Sequence, residues 1–144
     1  MSRVSPIISV ENDDRESAAS RISALLEDAN RDVQRDRARR HFCATMRGAD
    51  GTIEGGVTAQ AFWGWLYIAE FAIKPEWRGR GYGRQLLALA EAWGVQNGCL
   101  NAWLMTMSFQ AKGFYENAGY AVFAELTDYP PGESRFFLRK ALLV

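Results

Sequence analysis

What this chain lacks narrows its chemistry first. Histidine occurs once, as His41, with no second histidine or cysteine at ligand spacing. That argues against a metal site, and His41 reads as a structural or surface residue. No Ser/His/Asp or Cys/His nucleophile set is visible either. Cysteine occurs twice. Cys43 and Cys99 lie far apart and form no Cys-x-x-Cys pair, so both are expected to be reduced, buried thiols in a cytoplasmic protein. No run of about 18 apolar residues offers a membrane span. The first residues, Met1 to Pro6, form no signal-peptide apolar region. Acidic and basic residues number 17 each, so no global field draws the chain to nucleic acid or anionic lipid.

What remains is an ordinary globular composition. Apolar residues make up 48% of 144, enough for one domain spanning residues 1–144 with a real core. Val4 to Val10 reads as a short first strand. Asp13 or Asp14 can cap a helix running to about Arg31, with Ala18, Ile22, Leu25, Leu26 and Ala29 at helical spacing. Arg31 to Arg40 carries five Arg against two Asp and reads as a solvated helix end and loop. His41–Met46 and Thr52–Ala61 read as strands around the Asp50-Gly51 turn, the second weakened or bulged at Gly55-Gly56. Trp63-Gly64-Trp65 leads into an apolar strand that Lys74-Pro75 stops. A helix over Arg84–Asn97 turns Leu86, Leu87, Ala90 and Trp93 towards a sheet. Leu100–Met107 is a strand, Phe109–Asn117 a short helix, and Tyr120–Leu126 and Arg135–Lys140 the last two strands. This order is a mixed α/β (α+β) domain with one central sheet. The strand–helix–strand unit from Tyr67 to Met107 implies a parallel pair with a right-handed crossover.

The most informative stretch is Arg78-Gly79-Arg80-Gly81-Tyr82-Gly83, between a strand and a helix start. Glycines let a backbone approach a ligand, and the first helix N–H groups attract phosphate. A P-loop would need Gly-Lys followed by Ser or Thr, but Arg84-Gln85 follows Gly83. A dinucleotide loop starting at Gly81 would need a third glycine where Leu86 stands. It would also need an acid about 20 residues on, and none occurs between Glu91 and Glu116.

The pattern left, Arg-x-x-Gly-x-Gly at Arg78, Gly81 and Gly83, resembles the acetyl-CoA pyrophosphate loop of the GNAT superfamily of N-acetyltransferases. Downstream, Ser108 to Tyr120 resembles the second signature of that superfamily: a short helix carrying Tyr115, then Gly119 and Tyr120 opening a strand. One helix and one strand separate the two motifs, as in the family. The stretch Asp128-Tyr129-Pro130-Pro131-Gly132 resembles a small bacterial subgroup. The fold implied is a central, mostly antiparallel mixed sheet with one parallel strand pair and flanking helices.

The activity that the resemblance implies is acetyl transfer from acetyl-CoA to a primary amine of a small molecule or peptide, by direct attack on the thioester. The amides of residues 79 to 84 (Gly79, Arg80, Gly81, Tyr82, Gly83 and Arg84) would hold the pyrophosphate. Arg80 or Arg84 would add charge, and Arg78 would start the loop. Amides of Phe71, Ala72 and Ile73, near a bulge where the family's strand splays from the next, would polarise the thioester carbonyl and pair with the pantetheine arm. The family places the thiolate-protonating acid at the position of Tyr115. Glu70, the carboxylate in an otherwise apolar strand, is the candidate base. The alternative is that Glu70 faces solvent on the other side of the sheet. Many family members carry Asn seven residues before the tyrosine; here Ser108 stands there, with Gln110 as a second candidate for that contact.

Other residues have plainer alternatives. Trp63, Trp65 and Tyr67 fit either the edge of an acceptor pocket or the sheet face. Asp128 and Tyr129 fit either a cationic-amine contact or a solvent loop. A second functional reading is a non-catalytic acyl-CoA-binding or sensing module of the same fold. A third, nucleic-acid binding through the arginine run, lacks any base-stacking motif beside it. The family is often dimeric, which makes a homodimer an expectation.

Overall fold

A computed structural model of the chain describes residues 4–11, 15–32 and 38–142. They fall into two units, Met1–Asp36 and Arg37–Val144. In the first, residues 4–11 carry no regular structure, so the strand expected over Val4–Val10 is not formed. Pro6 has no N–H to give a ladder, and the sheet is completed by six other strands. Helix α1 spans Arg15–Asn30. The proposed cap at Asp13 or Asp14 lies outside the described residues, as does the middle of the arginine run.

The second unit runs β1 (Arg40–Arg47), β2 (Ile53–Phe62), β3 (Trp65–Ile73), a 3-10 turn (Pro75–Trp77), α2 (Tyr82–Gln96), β4 (Asn101–Met107), α3 (Lys112–Asn117), β5 (Ala121–Thr127) and β6 (Ser134–Ala141). The strands lie in the order β1-β2-β3-β4-β6-β5. Only β3 and β4 run parallel; the other neighbours are antiparallel. This is the mixed sheet with one parallel pair that the element order implies. The Asp50-Gly51 turn forms as read, with Gly51 at φ 86° and the Asp50 carboxylate accepting from the Thr52 amide at 3.0 Å. Trp63 and Gly64, at φ 54° and 81°, make the tight turn between β2 and β3, the double positive-φ pattern of a hairpin.

Strand alternation builds the core. Val57, Ala59 and Ala61 on β2, Leu66 and Ile68 on β3, and Ala102 and Leu104 on β4 are buried together with Leu86, Leu87 and Ala90 of α2. Gly94 lets α2 come close: a Cβ there would lie 3.0 Å from Leu66 Cδ2.

Three readings are corrected. The register shifts fall at Met46/Arg47 and at Thr58/Ala59, not at Gly55-Gly56. Those glycines answer a different need, close backbone approach. A Cβ would lie 2.9 Å from the Ala72 carbonyl at Gly55 and 2.7 Å from the Ala44 carbonyl at Gly56. The short helix starts at Lys112 rather than Phe109, because residues 108–110 form a turn. In it the Gln110 amide donates to the Met107 carbonyl at 2.9 Å, and the Gln110 side-chain oxygen accepts from the Met107 amide at 2.9 Å. Both cysteines are free, but Cys43 is exposed and only Cys99 is buried. Cys43 shares the sheet face of its partner Thr58, while its neighbours Phe42 and Ala44 pack against the core.

Candidate active site

The site is made where β3 loses a neighbour. From Trp65 to Ile68 the strand pairs with β2 on one side and β4 on the other; the last parallel pair is Ile68 with Leu104. At that point the β2/β3 register slips: Ile68 opposes Ala59 but Glu70 opposes Thr58, which leaves Ala69 as the extra residue. Such a bulge re-aims the side chains that follow it. Phe71 turns to the helix side, its ring centroid 5.6 Å from Phe114 and 6.1 Å from Tyr115. Glu70 turns to the opposite face, where its carboxylate accepts from the Thr58 hydroxyl at 3.2 Å.

Beyond Ile68 the gap between β3 and β4 opens into a cavity of about 980 Å³. Both candidate catalytic side chains, Glu70 and Tyr115, line it. So do Phe71, Ala72 and Ile73, whose backbone edge no longer faces a β4 pair. The glycine loop closes one end through Arg78, Gly79, Gly81, Tyr82, Gly83 and Arg84.

Local chemistry explains the loop. Gly79 and Gly81 sit at φ 74° and 87°, conformations costly for any residue with a Cβ. Gly81 is the N-cap of α2, and among the described residues no side chain caps that helix end. Its first amides are left for a ligand, and an anion is what the positive end of a helix favours. Gly83 allows close packing: a Cβ would lie 3.2 Å from the Phe114 ring. Arg78 bolts the loop to the strand, its Nε donating to the Ile73 carbonyl at 2.9 Å.

The remaining candidates separate. Arg80 is absent from the cavity wall and lies over the Trp77 ring at 5.1 Å. Ser108 is also absent from it. Its hydroxyl donates to the Glu133 carboxylate and accepts from the Ser134 amide, which ties the β4–α3 turn to the start of β6. Gln110 does line the cavity, with its side-chain oxygen turned back to Met107. Asp128 accepts from the Gly132 amide at 3.1 Å, and Tyr129 lies under Arg135 at 3.6 Å, so both hold their own loop. Sequence reasoning missed Thr58, the partner of Glu70, and Thr106, buried at the cavity wall. The hairpin register was the signal for the first; for the second there was only its place three residues past Trp103.

Tyr115 is buried, and burial pushes its hydroxyl up to about 12. A phenol in that state keeps its proton at neutral pH. Glu70 and Tyr115 thus both line one cavity, with the Glu70 carboxylate on the sheet face of Thr58 and Tyr115 in the core on the helix side.

Residues 7–120 match the model of the acetyltransferase (GNAT) family. The chain belongs to that family. It is an acetyl-CoA-dependent acetyltransferase of mixed α/β GNAT fold. It is 38% identical to a blasticidin-S acetyltransferase of Streptomyces morookaense, over 66% of this chain and 71% of that one. It is 31% identical to an acetyltransferase of Agrobacterium fabrum, over 71% of this chain and 74% of that one. The crystal structure of an acetyltransferase from Bacillus cereus superposes with a TM-score of 0.85 at 28% identity, covering 93% of this chain and 97% of its own. In this GNAT protein the glycine loop, the open edge of β3 and Tyr115 are the parts that meet at the cavity. No helix among the described residues is long and apolar enough to cross a membrane.

Proposed function

We propose that this acetyltransferase transfers the acetyl group of acetyl-CoA to a primary amine of a small molecule by direct attack on the thioester. The observation that carries the reading is the unfinished edge of β3, with Glu70 and Tyr115 lining the same cavity. The shape and the donors fit the coenzyme. The cavity wall includes both the uncapped start of α2 and the edge of β3, whose amides can pair with an amide-bearing arm.

Each residue then has a task. Amides at Gly79 to Arg84 hold the pyrophosphate, and Arg84 adds charge. An amide between Phe71 and Ile73 donates to the carbonyl oxygen as charge builds there. Glu70 takes a proton from the attacking ammonium, directly or through water, so that the nitrogen lone pair is free to form the new C–N bond. As the C–S bond breaks, Tyr115 protonates the departing thiolate, and the second proton shed by the attacking nitrogen as the amide forms restores the Tyr115 hydroxyl. A relative named for blasticidin-S favours a small-molecule acceptor over a peptide. A cytoplasmic location suits a chain with two free thiols.

The test is a free-thiol titration of the whole protein with acetyl-CoA and a panel of primary amines. Thiol release that depends on both amine and protein is expected. Tight acetyl-CoA binding with no release for any amine would overturn the transfer reading and leave a CoA-sensing module.

A further inference from the structure

One hydrogen bond beside the cleft exists only because of the bulge. Ile68 opposes Ala59, so an unbroken antiparallel register would set Ala69 against Thr58 and Glu70 against Val57. Val57 is 2% exposed, in the core, and a carboxylate in that row would be turned towards apolar surroundings. The extra residue moves every later pair by one place, and Glu70 meets Thr58 instead. The Thr58 hydroxyl donates to Oε1 of Glu70 at 3.2 Å. The second oxygen, Oε2, has no hydrogen-bond partner among the described residues. Glu70 belongs to the walls of two cavities, the one of about 980 Å³ and a second of about 480 Å³. Thr58 belongs only to the second, so it reaches the carboxylate without lining the cofactor cavity.

We infer that Thr58 is a positioning residue for the transfer: its hydroxyl fixes the Glu70 carboxylate through Oε1 and leaves Oε2 to take the proton of the acceptor ammonium. The inference rests on the transfer reading for the task of Glu70, but not for the hold itself. Threonine is stiff at χ1, so its hydroxyl is a donor of restricted direction. Glutamate has a long, freely rotating side chain, and a reacting group misplaced by about 1 Å loses rate on the order of 10²-fold. The bond ties the flexible member of the pair to the stiff one. In the step itself an N–H bond of the ammonium breaks, its electron pair becomes the attacking lone pair, and the proton joins Oε2. The neutral carboxyl then passes that proton to water before the next cycle.

The experiment compares Thr58→Val, which removes the hydroxyl and keeps the branched shape, with Thr58→Ser, which keeps the hydroxyl. The full chain, saturated with CoA, is isotope-labelled at the side-chain carboxyl carbon of glutamate and observed by NMR. The Glu70 signal is the one that Glu70→Gln removes. Thr58→Val should displace that signal, and Thr58→Ser should return it close to its parent position. CoA affinity should stay within about two-fold in both, which reports that each variant folds. An undisplaced signal in Thr58→Val overturns the proposal, with or without turnover. Thiol release from acetyl-CoA with n-butylamine reads the consequence. Its kcat should fall about ten-fold in Thr58→Val and recover most of that in Thr58→Ser, with the KM for acetyl-CoA unmoved. In the Glu70→Gln background Thr58→Val should cost nothing further. A loss of equal size in both backgrounds would mean that Thr58 acts through the fold, and would overturn the proposal. So would release that Glu70→Gln slows and Thr58→Val does not. A parent chain that releases no thiol, or release that Glu70→Gln leaves unchanged, sinks the task given to Glu70 in the transfer reading; the hold by Thr58 then stands or falls on the displaced signal.

Discussion

The two halves of β3 are built from similar residues and do different work. Trp65–Ile68 is laddered on both sides, and Leu66 and Ile68 are buried at 0% and 3% exposure. Glu70–Ile73 is laddered to β2 alone, and all four residues line the cavity. Between them lies one extra residue, Ala69. The first half shows how a parallel neighbour makes a core. The second shows that withholding that neighbour leaves backbone donors and acceptors open, a costly state unless water or a ligand satisfies them. In this protein the open edge beside the cavity comes from a sheet left unfinished.

The comparison breaks most sharply at Tyr115, which packs under the second half. Tyr115→Phe removes the hydroxyl proposed as the proton donor while keeping the ring that packs against Phe71. Turnover should fall by about 10²–10⁴-fold, the usual range for a general acid. Acetyl-CoA affinity should stay within about two-fold. Single-turnover thiol release and calorimetry check the two halves of this statement; unchanged turnover would remove Tyr115 from the chemistry.

In the first half the matching change is Leu66→Ala. Leu66 is fully buried and packs on Gly94 of α2. Its truncation should cost about 3 kcal/mol of stability. Urea unfolding should show the loss, while the KM for acetyl-CoA holds. A large rise in KM without a stability loss would mean that the halves are not separate in function.

How much of this was legible in the sequence follows the same division. Alternation marked β2 and β3 because each strand carries its own pattern. The glycine loop and the Tyr115 helix were legible because each motif is local and its residue types are forced, by positive φ at Gly79 and Gly81 and by close packing at Gly83. A bulge near Glu70 to Ile73 was implied only by the family resemblance, and its place at Ala69 was not legible, because a register slip is a property of two strands and leaves no mark on either alone. The face that Glu70 takes was open for that reason. Ser108 was read as a cofactor contact from its place before Tyr115, yet its hydroxyl bonds to Glu133, a partner 25 residues on. The strand assigned to Val4–Val10 shows the same limit: an apolar pattern does not specify a ladder partner.

Alkaline pH offers a smaller lever on the buried aromatic layer beneath the cleft. An unfolded tyrosine loses its proton near 10, whereas Tyr115 holds its own to about 12. The unfolded chain therefore sheds the proton first. The stability linked to the buried neutral phenol is whole below pH 10 and declines as pH rises towards 12, by up to about 3 kcal/mol for two pH units. Tyr120 is pushed in the same direction, by burial first and then by the Glu91 carboxylate, to which its hydroxyl donates at 2.8 Å. Unfolding midpoints between pH 9 and 12 should fall less steeply for Tyr115→Phe than for the parent chain. Parallel slopes would mean that Tyr115 reaches solvent in the folded state.

The finest test uses α2, whose two ends repeat the contrast. Gly81 at its start and Gly98 just past its end have φ of 87° and 82°, and neither has an atom within 4 Å of where a Cβ would stand. Alanine at either position meets the same left-handed strain, about 1–2 kcal/mol, with open space for its Cβ. Both variants should lose that much stability. Of the two, only Gly81 belongs to the cavity wall, so only Gly81→Ala should weaken acetyl-CoA binding, by about ten-fold, as the first amides of the helix shift from their anion. Equal affinities for the two variants would mean that the start of α2 is a turn like any other, and that the phosphate is held elsewhere.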